Sequence, residues 1–358
     1  MSTRVLEATP SLTQRMMPSA AEIDQARRRL HRKTGGIAML AGASYLGVMV
    51  PWTPLGLRIL FAFSLVVACV ATATSVMHDA NHGAFSRSKR VNLVFGYSSD
   101  LLGASSLLWR FKHNHLHHGN TNVFGFDNDI DQSPFARLVP EQPWRPWHRY
   151  QHIYMWVLYG FLTIQWFVAA DIANMIRGKV SDHRLNKPLR ARDVAMVMLG
   201  KVLHAAWALV IPMIWYPWWA VLAFYLAGSW LVGFMLANIF QLAHCVDRSE
   251  FFGPEARRRG GDFERHQLRV CVNVQSPTPL VRSSMRWLMG GLDYQIEHHL
   301  APKLPHTVYP LIAPRLAAAC AADGLKYRTH PSLHSAIGSH ARWLRTMGRK
   351  PTPNRTRP

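Results

Sequence analysis

The chain has 358 residues, 49% of them hydrophobic, and carries 41 Lys and Arg against 20 Asp and Glu, a formal net charge of +21. Such a charge invites nucleic acid, but the basic residues lie largely outside the apolar blocks, in the N-terminal region and the C-terminal third, as in a membrane protein whose basic regions face anionic headgroups; nucleic acid is therefore excluded as a partner. The four cysteines show no CxxC or disulfide-like spacing and read as small buried hydrophobes, and the mean hydropathy of −0.02 averages over a few long apolar blocks.

In chain order, residues 1–36 form a basic N-terminal arm that includes Arg27, Arg28, Arg29, Arg32 and Lys33, with no cleavable signal peptide expected. Two apolar blocks follow, Ile37 to Trp52 and Leu57 to Met77, and the prolines and glycine between them read as the turn of a transmembrane hairpin. A second hairpin comes from Val194 to Tyr216 and Trp218 to Phe240, joined at Pro217; each arm, at ~1.5 Å per residue, covers a ~30 Å hydrocarbon core. Trp52, Trp215, Trp218 and Trp219 mark block ends, where an interface favours them. Only Arg58 lies near either turn, against the many basic residues of the arm and Arg190, Arg192 and Arg248 around the second hairpin. The open ends of both hairpins, and both termini, are therefore expected in the cytosol. Val91 to Trp109 and Tyr154 to Ile176 contain polar residues and read as interfacial or site-packed helices, because a single crossing by either would split the histidine clusters across the membrane. The C-terminal third, with its basic run Arg257–Arg259, reads as a cytosolic helical cap; residues 37–345 form one domain and 346–358 a disordered tail. The expected fold is all-α and integral to the membrane, with two transmembrane hairpins (four spans), interfacial helices and a cap carrying a histidine-rich dimetal site.

The chemistry is concentrated in three histidine clusters. His78 and His82 are four residues apart, so they share one helix face just after the second apolar block. His113, His115, His117 and His118 follow Trp109, and His298 and His299 lie about 180 residues further on. Adjacent helical residues diverge by ~100°, so the pairs His117/His118 and His298/His299 suit two neighbouring metal ions, one imidazole for each. A carboxylate-poor imidazole site suits iron, zinc or copper. His152 and His204 are expected to be hydrogen-bonded or snorkelling residues. His148, His183, His266, His330, His334 and His340 are expected at the surface.

These clusters resemble the three histidine boxes of the membrane fatty acid desaturase family. His78-Asp-Ala-Asn-His82 resembles the first, and the stretch from Trp109 through His113, His117 and His118 to Asn122 the second. Gly290 to Pro302 resembles the third, with Gln295 in place of its first histidine, similar to front-end desaturases and their bacterial acyl-CoA or acyl-lipid relatives. The resemblance covers roughly residues 35–325. It implies two iron ions held by His78, His82, His113, His117, His118, His298 and His299, with His244, just after the fourth span, as a further ligand. Gln295 is then a weak ligand, a water holder or an orienting group, and Asp79 a supporting carboxylate; Asp127, Asp129, Asp131, Asp293 and Glu297 are other nearby carboxylates. His115, two residues from His113 and His117, is expected to face away.

The implied reaction introduces a double bond into a fatty acyl chain carried by CoA, a lipid or a carrier protein, with O₂ as co-substrate. Its polar head is expected near Arg110 or Lys112. Two electrons must come from outside, because the chain has no haem-binding His-Pro-Gly-Gly segment, no Gly-rich dinucleotide loop and no iron–sulfur cysteine pattern. A ferredoxin or cytochrome with its reductase is thus implied as partner. The nearest rival is a lipid hydroxylase or ketolase with similar boxes. From other classes come a zinc-dependent membrane hydrolase, disfavoured because the first cluster lacks the Glu of HExxH, and a metal transporter, disfavoured because the clusters lie at span ends and not at the midplane.

Overall fold

The structure, a computed structural model, describes residues 10–255 and 262–351. It is mostly helical. A short helix α1 (Leu12–Met16) precedes the 30-residue α2 (Ala20–Met49), whose start is fixed by a reciprocal cap: Ser19 Oγ accepts from the Glu22 N–H and Glu22 accepts from the Ser19 N–H. The N-terminal region is therefore not a free arm. With no proline between residues 20 and 49, the basic stretch and the first apolar block wind into one helix, and Leu12, Met16, Ala26 and Leu30 are buried. α3 (Leu55–His82) packs antiparallel to the apolar half of α2, so close that a Cβ on Gly47 would overlap the Phe61 ring.

Short helices, α4 (Lys89–Gly96) and α5 (Ser106–Arg110, continued by a π-wound segment Phe111–His117), carry the chain across the end of this hairpin. Beyond them lie α6 (Pro146–Arg177), α7 (Ala191–Ile214) and α8 (Trp218–His244). The cap is built from α9 (Phe263–Val270), α10 (Pro279–Met289), α11 (Gln295–Leu300), α12 (Tyr309–Ala322) and α13 (Leu333–Gly348). Two small β pairings tie its loops, antiparallel between Lys179–Val180 and His183–Arg184 and parallel between Asn273–Val274 and Thr329–His330.

Among the described residues, four helices are long and apolar enough to cross a membrane: α3, α6, α7 and α8. Three coincide with expected spans. The expected first span, 37–52, is instead the apolar half of α2 and falls short of that length and composition, whereas α6, expected to lie in the interface, satisfies both. Both ends of α6 are nevertheless tied to the site-bearing end of the bundle. Near its start, Gln151 donates to the Arg137 and Leu344 carbonyls; at its other end Asp171 accepts from the Ser105 N–H, and just beyond it His183 bonds the Gly125 carbonyl. Between those anchors α6 crosses α8 where two glycines meet: a Cβ on Gly233 would lie 2.4 Å from the Gly160 carbonyl oxygen.

Other expectations change with tertiary contacts. His148, His330 and His340 are buried and not at the surface; His340, for example, bridges the Tyr159 hydroxyl at 2.8 Å and the Cys245 carbonyl at 2.6 Å. The expected tail begins in structure, since α13 runs to Gly348 and Trp144 donates to the Gly348 carbonyl; residues 352–358, like Arg257–Arg259, lie outside the described residues. All four cysteines are free, as expected. Because the obstacle at Gly233 is backbone, Gly233→Ala should force α6 off α8 and lower the melting temperature in detergent by about 3 °C or more; an unchanged melting temperature would contradict the crossing.

Candidate metal centre

The first cluster sits where α3 changes its winding. Thr72–Met77 is π-wound, His78–His82 returns to α, and Gly83 at φ 77° ends the helix directly after His82. The altered winding lets the third cluster dock. Thr74 donates to the Leu288 carbonyl, and Gly290, at φ 60°, packs so close that a Cβ would lie 2.2 Å from the Thr74 carbonyl oxygen. The second cluster is also π-wound, with the His118 N–H bonded to the His113 carbonyl five residues back. In an α-helix at ~100° per residue, residues five apart would diverge by ~140°, whereas i→i+5 winding places them about one turn apart. His113, His117 and His118 can therefore all face one space, while His115 is exposed as expected.

Eight histidines converge there: His78, His82, His113, His117, His118, His244, His298 and His299, all of those expected as ligands. His78, His82, His113 and His298 form one set and His117, His244 and His299 another, each with one nitrogen per residue within 4.8 Å of the others. His118 lies between them, its ring 4.7 Å from that of His298 and 4.2 Å from that of His299. His298 and His299 fall in different sets, and the two also come together with His118 in a third group, one nitrogen per residue within 4.8 Å of the others.

The outer ring nitrogens are held from behind. Nδ1 of His117 meets both Asp127 oxygens at 3.1 Å, and Nδ1 of His299 meets Gln267 Oε1 at 3.0 Å and Thr121 Oγ1 at 3.2 Å. Nδ1 of His298 faces the Tyr309 hydroxyl at 3.3 Å, and that of His244 the Val270 carbonyl at 3.3 Å. This is how metal-binding imidazoles are fixed in tautomer and direction. Most of the inward nitrogens have no such partners: Nε2 of His78, His82, His298 and His299 is buried without a hydrogen bond, and Nε2 of His113 and His118 face each other at 3.2 Å. Orphaned polar atoms are costly, and this many aimed at one space fit a pair of metal ions bound through imidazole.

The electrostatics agree. Burial, reinforced by mutual repulsion, holds the protonation of His113, His118, His298 and His299 well below the ordinary histidine range, so their lone pairs are free. Burial disfavours the charged form of His117 too, but Asp127 overrides it and raises its affinity for a proton.

Asp79 lies behind the first cluster, with Oδ1 3.7 Å from Nδ1 of His78, while its Oδ2 accepts from both the backbone N–H and Nδ1 of His306, each at 2.9 Å. Asp129 is paired with Lys112 at 2.8 Å; burial opposes its ionisation, but Lys112 draws the carboxyl down to about 2. Asp293 is buried 3.6 Å from Arg286. Glu297, pushed up to about 7 by burial, bonds Tyr327 and Asn273 and so pins α11. Gln295 points inward, with Nε2 2.8 Å from His244 Nε2 and Oε1 buried without a partner. Arg110 turns away to Asn81, whereas Lys112 lines a cavity that reaches His113. His204 is hydrogen-bonded to the Leu101 carbonyl and Tyr225, as expected. Gln267, Tyr309 and His306 were not picked out by sequence reasoning, and Thr121 only as part of the flank of the second cluster.

Replacing Asp127 by Asn should weaken metal binding about 10–100-fold in chelator competition. Replacing His244 by Ala should remove metal from the second set and leave the first loaded; full metal content in that variant would detach His244 from the centre.

Comparison with known proteins agrees with this geometry. A family model described as fatty acid desaturase matches residues 51–331. The chain is 32% identical over 303 residues to an sn-1 linoleoyl-lipid 6-desaturase of Arthrospira platensis, covering 83% of this chain and 80% of that protein. A protein of the same description from Synechocystis is 32% identical over 295 residues, covering 82% and 81%. An acyl-lipid (8-3)-desaturase of Physcomitrium patens is 32% identical over 294 residues, covering 80% of this chain and 60% of that one.

Proposed function

The chain belongs to the fatty acid desaturase family, and from that premise we propose that it desaturates the acyl chains of membrane glycerolipids at a di-iron centre held by its eight converging histidines. That it is an integral membrane protein and a fatty acid desaturase follows from the family and the apolar helices. The single observation carrying the metal assignment is the set of buried inward nitrogens without protein partners. Two iron ions bound there would supply the O₂-derived oxidising power that removing hydrogen from an unactivated methylene demands. Overall, one O₂, two electrons and two protons are consumed with the two hydrogens of the chain, giving a double bond and two waters.

The protein supplies placement. A cavity of about 490 Å³ runs between α6 and α8 to His113, and the exposed apolar Phe161 of α6 is part of its lining. A cavity bordered by an apolar helix surface suits an acyl chain that enters from the bilayer, which supports a lipid over a CoA ester, in keeping with the acyl-lipid substrates named for the relatives. A second, apolar cavity of about 220 Å³ is lined by α2, α3, α7 and α8 together with Thr163 of α6, next in sequence to Leu162 of the first cavity, and would have room for the distal part of the chain.

The site end of the bundle faces the cytosol in this proposal. Arg28, Arg29, Arg32, Lys89, Arg90 and Lys303 lie there without ion-pair partners among the described residues, against Arg58 at the far end. Electrons would come from a ferredoxin or cytochrome with its reductase, docking on that basic surface. A zinc hydrolase is disfavoured because the nearby carboxylates are engaged, Asp127 by His117, Asp129 by Lys112 and Asp79 by His306.

Expression in a host with a simple fatty acid profile should yield a new acid about 2 mass units lighter than its precursor, absent with His298→Ala. A product about 16 units heavier would assign hydroxylation instead. Zinc without iron in active purified protein would sink the di-iron assignment. Turnover with a ferredoxin donor should fall as salt rises; salt-insensitive turnover would remove the docking claim.

A further inference from the structure

An acyl chain is a run of nearly identical methylenes, and apolar walls distinguish one methylene from the next by only ~1–3 kcal/mol. A defined double-bond position therefore calls for a polar fixed point at a set distance from the metals. The cavity that reaches His113 contains one. Gln241 lines it on α8, three residues before His244, and is 8% exposed. Its Nε2 makes only a 3.4 Å contact with the Asp129 carbonyl, and its Oε1 is buried with no partner. A carboxamide left so poorly satisfied is costly unless a ligand or water completes it. Its nitrogen and oxygen ends are nearly the same shape, so a half-turn about the last bond offers an N–H to an incoming acceptor.

Lys112, beside His113, lines the same cavity. Its ammonium has three protons, and Asp129 Oδ1 accepts one at 2.8 Å. Both groups thus adjoin histidines of the cluster in sequence, one on α8 and one on the π-wound segment. The acceptor they suit is a neutral carbonyl: a free carboxylate would also have to approach Asp129.

Taking the cavity as the acyl site proposed above, we infer that Gln241, assisted by Lys112, grips the ester carbonyl at the head of the acyl chain. That grip fixes how many carbons separate the head group from the histidine cluster. Gln241 is a specificity-determining residue, and the double bond is counted from the carbonyl end.

The test uses the purified full chain in nanodiscs with a reduced ferredoxin system. It compares a glycerolipid carrying ester-linked chains with its dialkyl ether counterpart, which lacks only the carbonyls, and runs Gln241→Leu in parallel. Wild type should convert the ester about three- to tenfold more efficiently in kcat/KM and at one position. On the ether it should give neighbouring positional isomers as well. Gln241→Leu should treat the ester as wild type treats the ether. Equal efficiency and an identical single position on both lipids would overturn the inference and leave Gln241 holding water alone. So would a Gln241→Leu enzyme that keeps the wild-type preference. If that variant does not fold, the ester-to-ether comparison in wild type decides by itself. Absence of any unsaturated product from wild type on the ester would be a different failure, of the desaturation proposal itself.

Discussion

Eight imidazoles must be buried and aimed inward at once, and the rest of the architecture answers to that demand. Neutral nitrogen lone pairs buried against one another are unfavourable until something shares them, so the surrounding shell must hold each ring from behind. Asp127, Gln267, Tyr309 and the Val270 carbonyl do so for His117, His299, His298 and His244. These supports come from a loop, from cap helices and from backbone, which explains why the cap folds down over the ends of the apolar helices. Of the nearby carboxylates, Asp127 backs His117, Asp129 is paired with Lys112 and Asp79 with His306, so the eight converging side chains offer nitrogen.

Two of the three clusters depend on helices that depart from α winding. The departure at Thr72–Met77 receives the tight turn at Gly290, and the one at Phe111–His117 swings His118 round to join His113 and His117. Non-α winding persists where packing over-determines it, and it is often found at functional sites. Here it solves a geometric problem that an ordinary helix could not: three ligands within six residues, all facing one space.

The candidate ligand set was legible in the sequence because most of it is local. Four-residue and adjacent spacings are strong signals, and His244, which lacks a clustered neighbour, was reached only through the family resemblance. The residues behind the ligands were not legible. Gln267, Tyr309 and His306 carry no local mark and acquire meaning only when distant segments meet, and Thr121 was legible only as the flank of the second cluster, not as a support for His299. The misjudged histidines fail for the same reason: His148, His330 and His340 look solvent-facing in their own segments and are buried by cap contacts. The apolar blocks located three long helices well. The basic segment before Ile37 looked separate because composition changes there, while helix continuity depends on the absence of a breaker. The sequence of α6 had the composition of a crossing helix, yet its two ends bond to the same end of the bundle.

The Glu297–Tyr327–Asn273 lock behind the third cluster has a consequence for the life of the chain during synthesis. The helix bearing His298 and His299 is pinned by a residue about thirty positions later, and the first cluster lies more than two hundred positions earlier. The apolar helices are thus complete well before the centre can close. Under the proposed metal assignment, loading would follow completion of the apolar helices, and a chain interrupted before Tyr327 would hold its histidines without this lock.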